Sequence, residues 1–578
     1  MRLHQYREIW HVDFEYTSRK GERPAPICVV ALEAKSGREL RIWQDELLLM
    51  RQPPYSTDKE ALFVCYLATA ELGCHLVLNW PLPENVLDLY VEFSWLTNGL
   101  SRPHGRSLLG AMQWFGLDGI GVVEKESMRA LANRGGPWTE DERNGLLEYC
   151  ESDVQALVRL LPCMAPHLDL PRAIRLRGRY MKALARIEDR GIPIDTEALE
   201  LFRTHWEEVQ EDVIREIDTS YQVYEGRVFK QERFAAWLEK NGMTWPRTQT
   251  GRLCLDDQTF KDMSRIHPIV ASLHELRISL AKLRSDSLTV GRDGRNRCML
   301  SPFGAVSSRN TPSSTKYIFG SAVWFRGLIK PGPGYALVYL DFEQQEFGIA
   351  AALSGDEAMI QAYETGDAYL AFAKQAGAVP DNATKQSHGV QREQFKECSL
   401  AVQYGMKAIS LGARLNLPPV YAEELLRAHR RTYKQFWGWS DRGQDYAALY
   451  GNLWTVFGWV LRSGPQIKPN TFRNFPMQGN GAEMLRLACC LAAEKGVRVC
   501  GPVHDALLVE APLEEVDDVL AVTQQAMVKA SNLVLDGFDL RIEAKIIRYP
   551  DRFMDKRGER MWQKVWGSIQ RKRSNSTT

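Results

Sequence analysis

A chain of 578 residues with 44 % hydrophobic, 10 % aromatic and 25 % charged residues is longer than one hydrophobic core usually supports, so several domains of roughly 100 to 200 residues are expected. The composition is that of a soluble globular protein, and no stretch approaches the roughly 20 apolar residues that span a bilayer. A formal net charge of +1 carries no nucleic-acid signal by itself, although a neutral total can conceal a basic groove beside acidic sites. Eleven cysteines form no CxxC pair, and the adjacent Cys489 and Cys490 lie in an apolar helical stretch, which argues for reduced core residues rather than zinc ligands or a disulfide framework.

The N-terminal run MRLHQYREIWHVDFE lacks the apolar core and cleavage site of a secretory signal, so the mature protein is expected to start here, in the cytoplasm. Residues 1 to about 165 alternate short strands (WHVDFEY, ICVVALEA, LFVCYLA, NVLDLYVEF) with helical stretches, as in a small α/β domain. A Pro-containing joint, CMAPHLDLPR, closes it. From Ile174 to about Arg297, segments such as ALELFRTHWEEVQEDVIREI repeat apolar residues every three or four positions and predict a long helical arm. The polar loop SPFGAVSSRNTPSSTK and the turn PGPG then lead into GYALVYLDF, a buried strand. A largely helical section runs to about Tyr450. Further on, VRVCGPV and ALLVEA read as the arms of a hairpin around His504 and Asp505. The closing run RGERMWQKVWGSIQRKRSNSTT is basic and Ser-rich and reads as a frayed, solvated tail.

Several charges stand out against this background. Asp341 ends an apolar strand, where a carboxylate is expensive to bury unless a cation or hydrogen bonds compensate it. A helix cap is the plainer explanation. Asp505 repeats the anomaly between two apolar strands, with a hairpin-turn role as the plainer explanation. Arg392 and Lys396 are one helical turn apart and share a face, where they repel mildly. A bound polyphosphate turns that repulsion into attraction, Arg offering a fork of donors and Lys a point charge, whereas a solvated basic stripe is the common alternative. Asp13 and Glu15 point to one face of a strand, and Tyr149 and Asp153 to one face of a helix. Paired acids on one face attract metal; an exposed strand edge and a solvated helix end are the alternatives.

Taken in order, LDFEQQE, RxxxKxxxxxxxYG, NFPMQG and VHD resemble the motifs of the family A DNA polymerases, the DNA polymerase I family, over the stretch from about Ile174 to the C-terminus. The resemblance implies an α/β multidomain fold: a right hand with thumb (169–300), palm (301–355), fingers (356–475) and a second palm part with C-terminal tail (476–578). Asp341 and Asp505 resemble the palm carboxylates that bind two magnesium ions, or manganese in their place, with the backbone carbonyl of Phe342 as a further ligand. Two hard cations stabilise the attacking primer 3′-oxygen and the leaving pyrophosphate. Arg392 and Lys396 match the grip on the incoming triphosphate, with Lys396 also a candidate proton donor to pyrophosphate. Tyr404 and Gly405 match the pivot beside the templating base. Glu346 matches the residue that crowds the sugar 2′ position and selects deoxynucleotides, which argues against a single-subunit RNA polymerase. Gln344 and His504 match polar contacts to the nucleotide, and Arg309, Asn474 and Gln478 contacts to template or primer.

The DxE of Asp13 and Glu15 and the YxxxD of Tyr149 and Asp153 resemble the 3′–5′ proofreading exonuclease domain that precedes the polymerase in this family, here a ribonuclease H-like domain over 1–168. Such a domain uses four acids for two metals. Glu71 in TAELGCHLVLNW is the preferred second acid and Asp88 in NVLDLYVEF the alternative. In the implied chemistry a water attacks the terminal phosphodiester while Tyr149 positions it, releasing a deoxynucleoside monophosphate. Nothing resembles a separate 5′ nuclease domain. Three positions depart from the family pattern: Leu400 replaces an aromatic residue, Ala506 an acid, and Tyr369 a histidine that often helps bind the triphosphate. They point to a divergent, phage-like branch replicating a phage genome in the bacterial host cytoplasm, with base preference, modified purines included, left open. The expected partners are primer-template DNA and dNTPs, with no membrane; the chain is expected to be a monomer working with replication accessory proteins. The rival readings are a polymerase with an inactive exonuclease domain and a non-catalytic nucleic-acid-binding relative.

Overall fold

The computed structural model of the protein describes residues 3–118, 122–282 and 287–576. Its first unit is organised by strand β1 (Glu8–Thr17), in which Trp10, Val12 and Phe14 alternate into the core. On one side, β2 (Ala25–Glu33) and β3 (Glu39–Trp43) add antiparallel; on the other, β4 (Ala61–Cys65) and β5 (Val86–Asp88) add parallel, in the order β3-β2-β1-β4-β5. Parallel neighbours need a crossover, and helix α1 (Ala68–Val77) supplies it between β4 and β5. The fourth expected strand, NVLDLYVEF, stops at Asp88. Its second half is helix α2 (Leu89–Leu96), because the Asp88 carboxylate accepts the N–H groups of Tyr90 and Val91 and so opens a helix instead of continuing a strand. Helix α3 (Glu140–Met164) starts at a reciprocal cap between Thr139 and Glu142 and lays Leu146, Leu147, Cys150 and Val154 on the Ile27, Cys28 and Val30 face of the sheet.

A π-helical turn (Ala173–Gly178) leads into α4 (Arg179–Arg190) and the 23-residue α5 (Thr196–Asp218), followed by shorter helices at Gln231–Lys240, Asp257–Ile266 and Ala271–Lys282. These form the helical arm. The second sheet is wholly antiparallel, in the order β7-β8-β6-β9, from β6 (Tyr335–Phe342), β7 (Arg498–Val503), β8 (Ala506–Pro512) and β9 (Ile542–Arg548). Between β6 and β7 the chain is mainly helical, with α6 (Gln345–Ser354), α7 (Ala368–Gln375), α8 (Gly389–Gln403) and α9 (Pro469–Glu494). Helix α10 (Val516–Val534) packs on α9.

The expected solvated tail is instead helix α11 (Glu559–Ser576). Met561, Trp562, Val565 and Ile569 recur at helical spacing and are buried. The rings of Trp562 and Trp566 lie 5.5 and 5.9 Å from that of Phe202 on α5. Each large apolar side chain removed from water is worth roughly 1.5–3 kcal/mol, which outweighs the cost of ordering a basic segment. The basic residues serve the same docking, Lys572 pairing with Glu208 and Asp212 at 3.2 Å.

The first unit is sewn to the rest of the chain. The Trp95 indole N–H donates to the Gly458 carbonyl at 2.7 Å, and the Asn98 amide donates to those of Val306 and Val460 at 2.8 and 2.7 Å. Gly99 makes this approach possible: its φ is +87°, and a Cβ there would stand 2.1 Å from the Arg462 carbonyl oxygen.

Candidate active sites

The register of the second sheet builds the first site. Asp341 pairs with Ala506, the first residue of β8, so the turn from β7 brings Asp505 beside it. His504 takes a left-handed φ of 56° in that turn, and the Phe342 N–H donates to the Asp505 carbonyl at 3.3 Å. Burial and the neighbouring Asp505, with Glu543 and Glu343 adding to them, push the Asp341 carboxyl up to about 8. Its Oδ1 is buried and accepts no hydrogen bond. A buried oxygen without a donor, beside a second carboxylate that repels it, fits a divalent cation of the hard, oxygen-seeking kind. Among the described residues no three His, Cys, Asp or Glu side chains converge on one point, so a cation here would draw further ligands from backbone oxygens and from substrate.

Helix α8 presents the cationic face. The Arg392 Nε donates to Asp367 at 2.5 Å and its Nη1 to Glu393 at 2.6 Å, while Lys396 donates to Glu393 at 3.2 Å. Tyr404 follows α8, half exposed, with its hydroxyl bonded to Gln478 of α9. Asn474 lies one turn before Gln478 on the same helix. Glu346, in the first turn of α6, pairs with Arg309 at 3.3 Å and bonds Tyr404; burial raises its carboxyl, and Arg309 opposes that shift. Arg309 and His504 line a cavity of about 240 Å³ with Asn310 and Tyr317. Burial holds the His504 imidazole below the usual histidine range. Gln344 is engaged elsewhere than expected: its amide donates to the Gly366 carbonyl and its oxygen accepts the Ala368 N–H, both at 3.2 Å. In this structure it fixes the segment before α7.

A second carboxylate group lies on the first sheet. The Cys150 thiol of α3 donates to the Asp13 carbonyl at 3.2 Å, which seats Tyr149 and Asp153 over β1. The Tyr149 phenol is raised by burial and then by Asp153, Glu15 and Asp13. Glu71 comes to the same place from α1. It accepts the Phe14 N–H at 2.9 Å, and burial, Asp13 and Glu15 raise its carboxyl well above the usual range. Asp88 is differently employed. Its two oxygens accept the N–H groups of Leu67, Ala68, Tyr90 and Val91, four bonds that serve the ends of two helices. A cleft of about 450 Å³ lies at the seam of the first unit with the rest of the chain, with Tyr16, Leu67 and Thr69 on one wall and Ser301, Ser313 and Lys316 on the other.

The antiparallel sheet thus sets Asp341 and Asp505 near the partly buried Glu346, with α8 and its Arg392 and Lys396 following in the same part of the chain. Residues 308–547 match the model for DNA polymerase family A. The chain is 25 % identical to DNA polymerase I of Aquifex aeolicus over 387 residues, covering 64 % of this chain and 65 % of the relative. It is 27 % identical to the thermostable DNA polymerase I of Thermus thermophilus over 316 residues, covering 50 % and 37 %. It thus spans less than two thirds of either relative. The fold is that of the POL domain of Pol1 from M. smegmatis, solved in complex with DNA primer-template and dNTP, at a TM-score of 0.71 and 18 % identity over 93 % of this chain and 95 % of that one. No helix among the described residues is long and apolar enough to cross a membrane.

Sequence reasoning missed the groups that hold the site in shape. Asp367 has the signature of a helix cap, an acid before an apolar helix, but nothing in the sequence pairs it with Arg392. Arg541, which bonds Glu343 at 2.9 Å beside the acids, carried no signal at all.

Proposed function

We propose that this protein synthesises DNA on a template from dNTPs and removes mismatched 3′ ends with its N-terminal unit. The observation that carries the reading is the pairing of Asp341 with Asp505 on adjoining strands, in a domain whose α8 displays Arg392 and Lys396. Asp341, Asp505 and the Phe342 carbonyl would hold two magnesium ions, which when bound favour the primer 3′-oxygen as nucleophile and offset charge on the departing pyrophosphate. Arg392 binds the triphosphate through its fork of donors, and Lys396 supplies a proton to the pyrophosphate. Tyr404 and Gln478 support the templating base, with Asn474 and Arg309 along the duplex and His504 beside the incoming nucleotide. Glu346, kept in place by Arg309, excludes a 2′-hydroxyl.

In the thumb, palm and fingers division, α5 belongs to the thumb (169–300), β6 to the palm (301–355 and 476–578) and α8 to the fingers (356–475). The order β3-β2-β1-β4-β5 and the nearness of Glu71 to Asp13 and Glu15, and of Tyr149 to Asp153, Glu15 and Asp13, support a ribonuclease H-like exonuclease domain over 1–168. There Tyr149 orients the attacking water. The departures at Leu400, Tyr369 and Ala506 support a phage replication role, with primer-template DNA as the partner of a monomer.

Primer extension with magnesium tests the synthesis. Wild type is expected to extend and Asp341→Ala is not; a wild-type protein that leaves the primer unextended overturns the reading. A primer with a mismatched 3′ end, offered without dNTPs, is expected to shorten. If it stays full length, the N-terminal unit is catalytically silent.

A further inference from the structure

Two carboxylates hold Arg392, and they stand in different surroundings. Glu393 is the next residue on α8, with 54 % of its side chain exposed, and it bridges Arg392 and Lys396. An exposed pair of this kind contributes little and yields readily to a stronger anion. Asp367 belongs to another element. One of its oxygens caps α7 by accepting the Leu370 N–H at 3.2 Å, and the other takes the Arg392 Nε at 2.5 Å. Two residues on, the buried ring of Tyr369 lies 5.7 Å from the Arg392 guanidinium carbon and is braced edge-on by Phe347.

The segment bearing Asp367 and Tyr369 is anchored beside the acids. Gln344 ties down both Gly366 and Ala368, and Arg541 reaches the Gly366 carbonyl at 3.4 Å from its pairing with Glu343. An unbroken chain of bonds therefore runs from the neighbourhood of Asp341 to the Nε edge of a guanidinium on a different helix. A guanidinium offers five N–H donors in one plane. Fixing its Nε edge with a carboxylate and its face with an aromatic ring leaves one way for the Nη donors to point.

We propose that Asp367 and Tyr369 are positioning residues for Arg392, orienting its Nη donors toward the triphosphate of the incoming nucleotide while Glu393 is the anion that the triphosphate displaces. The inference rests on the reading of Arg392 as a triphosphate ligand. It also assigns the tyrosine at 369 a task other than direct phosphate binding: its ring face supports the arginine.

Primer extension by the full-length chain, with dNTP concentration varied, tests it. Asp367→Asn keeps an acceptor that can cap α7 but removes the negative charge that pairs with Arg392. The expected result is a KM for dNTP raised about tenfold with kcat within about threefold, to the same extent for all four bases and for ribonucleotides, because the triphosphate is common to all. Inhibition by pyrophosphate weakens in parallel. Tyr369→Phe retains the wild-type KM, and Tyr369→Leu raises it. In an Arg392→Ala background, Asp367→Asn adds nothing further to KM. An unchanged KM in both Asp367→Asn and Tyr369→Leu, a change confined to one base, or full additivity with Arg392→Ala overturns the proposal. Wild type that does not extend at all overturns the polymerase reading instead, so the two failures are distinguishable.

Discussion

The guanidinium of Arg177 meets the carboxylate of Glu92 fork to fork, at 2.6 and 2.7 Å, with 6 % and 1 % of the two side chains exposed. The bond joins α2 of the first unit to the π-helical turn that opens the second, and the same guanidinium lies 5.2 Å from the centre of the Trp95 ring. Glu92→Ala would leave a buried cation without a partner, an arrangement that costs about 3–5 kcal/mol. The expected outcome in urea unfolding is a loss of that size, with the N-terminal unit cleaved early by protease near residues 165–178. A midpoint equal to wild type would refute the claim that this pair holds the seam.

Asp341 stands in a setting that favours its neutral form, through burial and the charges of Asp505, Glu543 and Glu343. A site built to receive a cation is destabilising while the cation is missing. Asp341→Asn is therefore expected to abolish primer extension and yet to melt higher than wild type in magnesium-free buffer. Magnesium should raise the melting temperature of wild type and leave that of the variant nearly unchanged. Equal magnesium shifts in the two proteins would place the cation elsewhere.

How much of this was legible in sequence depended on whether the signal was local. Asp341, Arg392, Lys396 and Asp505 sit in short motifs whose order is readable along the chain, and β6 and the β7–β8 hairpin were legible as apolar runs. Asp88 was ambiguous because an acid at the end of a strand looks the same whether it faces a metal or caps a helix; only its four backbone partners separate the two. In the C-terminal helix a basic, Ser-rich composition masks the helical spacing of Trp562, Trp566 and Ile569, which is what buries it. The partnership of Arg177 with Glu92, and that of Arg392 with Asp367, join distant segments and leave no trace in either segment alone.

Glu188 on α4 links the two units through a single carboxyl. It accepts the Leu300 N–H at 2.6 Å and bonds the Thr69 hydroxyl of α1, and burial raises it to about 7 despite both bonds. With the folded value above the unfolded one, its contribution is fully present below about pH 4.5 and is lost as pH rises through 7. Glu188→Gln has no proton to lose. The variant is expected to gain on wild type between pH 4.5 and 7, by up to about 3 kcal/mol, with no further gain above about pH 8. Stability curves that stay parallel across this range would show that Glu188 is ionised in the fold at no cost.

Glu71 and Asp88 are both buried acids near the first sheet, and their surroundings predict opposite phenotypes. Glu71 makes one backbone bond, to Phe14, and feels Asp13 and Glu15 strongly enough for its carboxyl to be raised well above the usual range. Replacing it with alanine removes a repelling charge and one bond, so the fold is expected to keep its stability within about 1 kcal/mol. Shortening of a mismatched primer is expected to disappear. Asp88 satisfies four N–H groups, and Asp88→Ala strands all four in a buried setting at roughly 1–3 kcal/mol for each one left without water. That variant is expected to lose the N-terminal unit itself, seen as a separate low-temperature transition in a melting scan, with primer extension by the C-terminal body retained. Asp88→Asn, which still accepts hydrogen bonds, should restore much of the fold. If instead Asp88→Asn is folded and fails to shorten the primer while Glu71→Ala shortens it normally, Asp88 is the acid that serves the chemistry and Glu71 is the structural one.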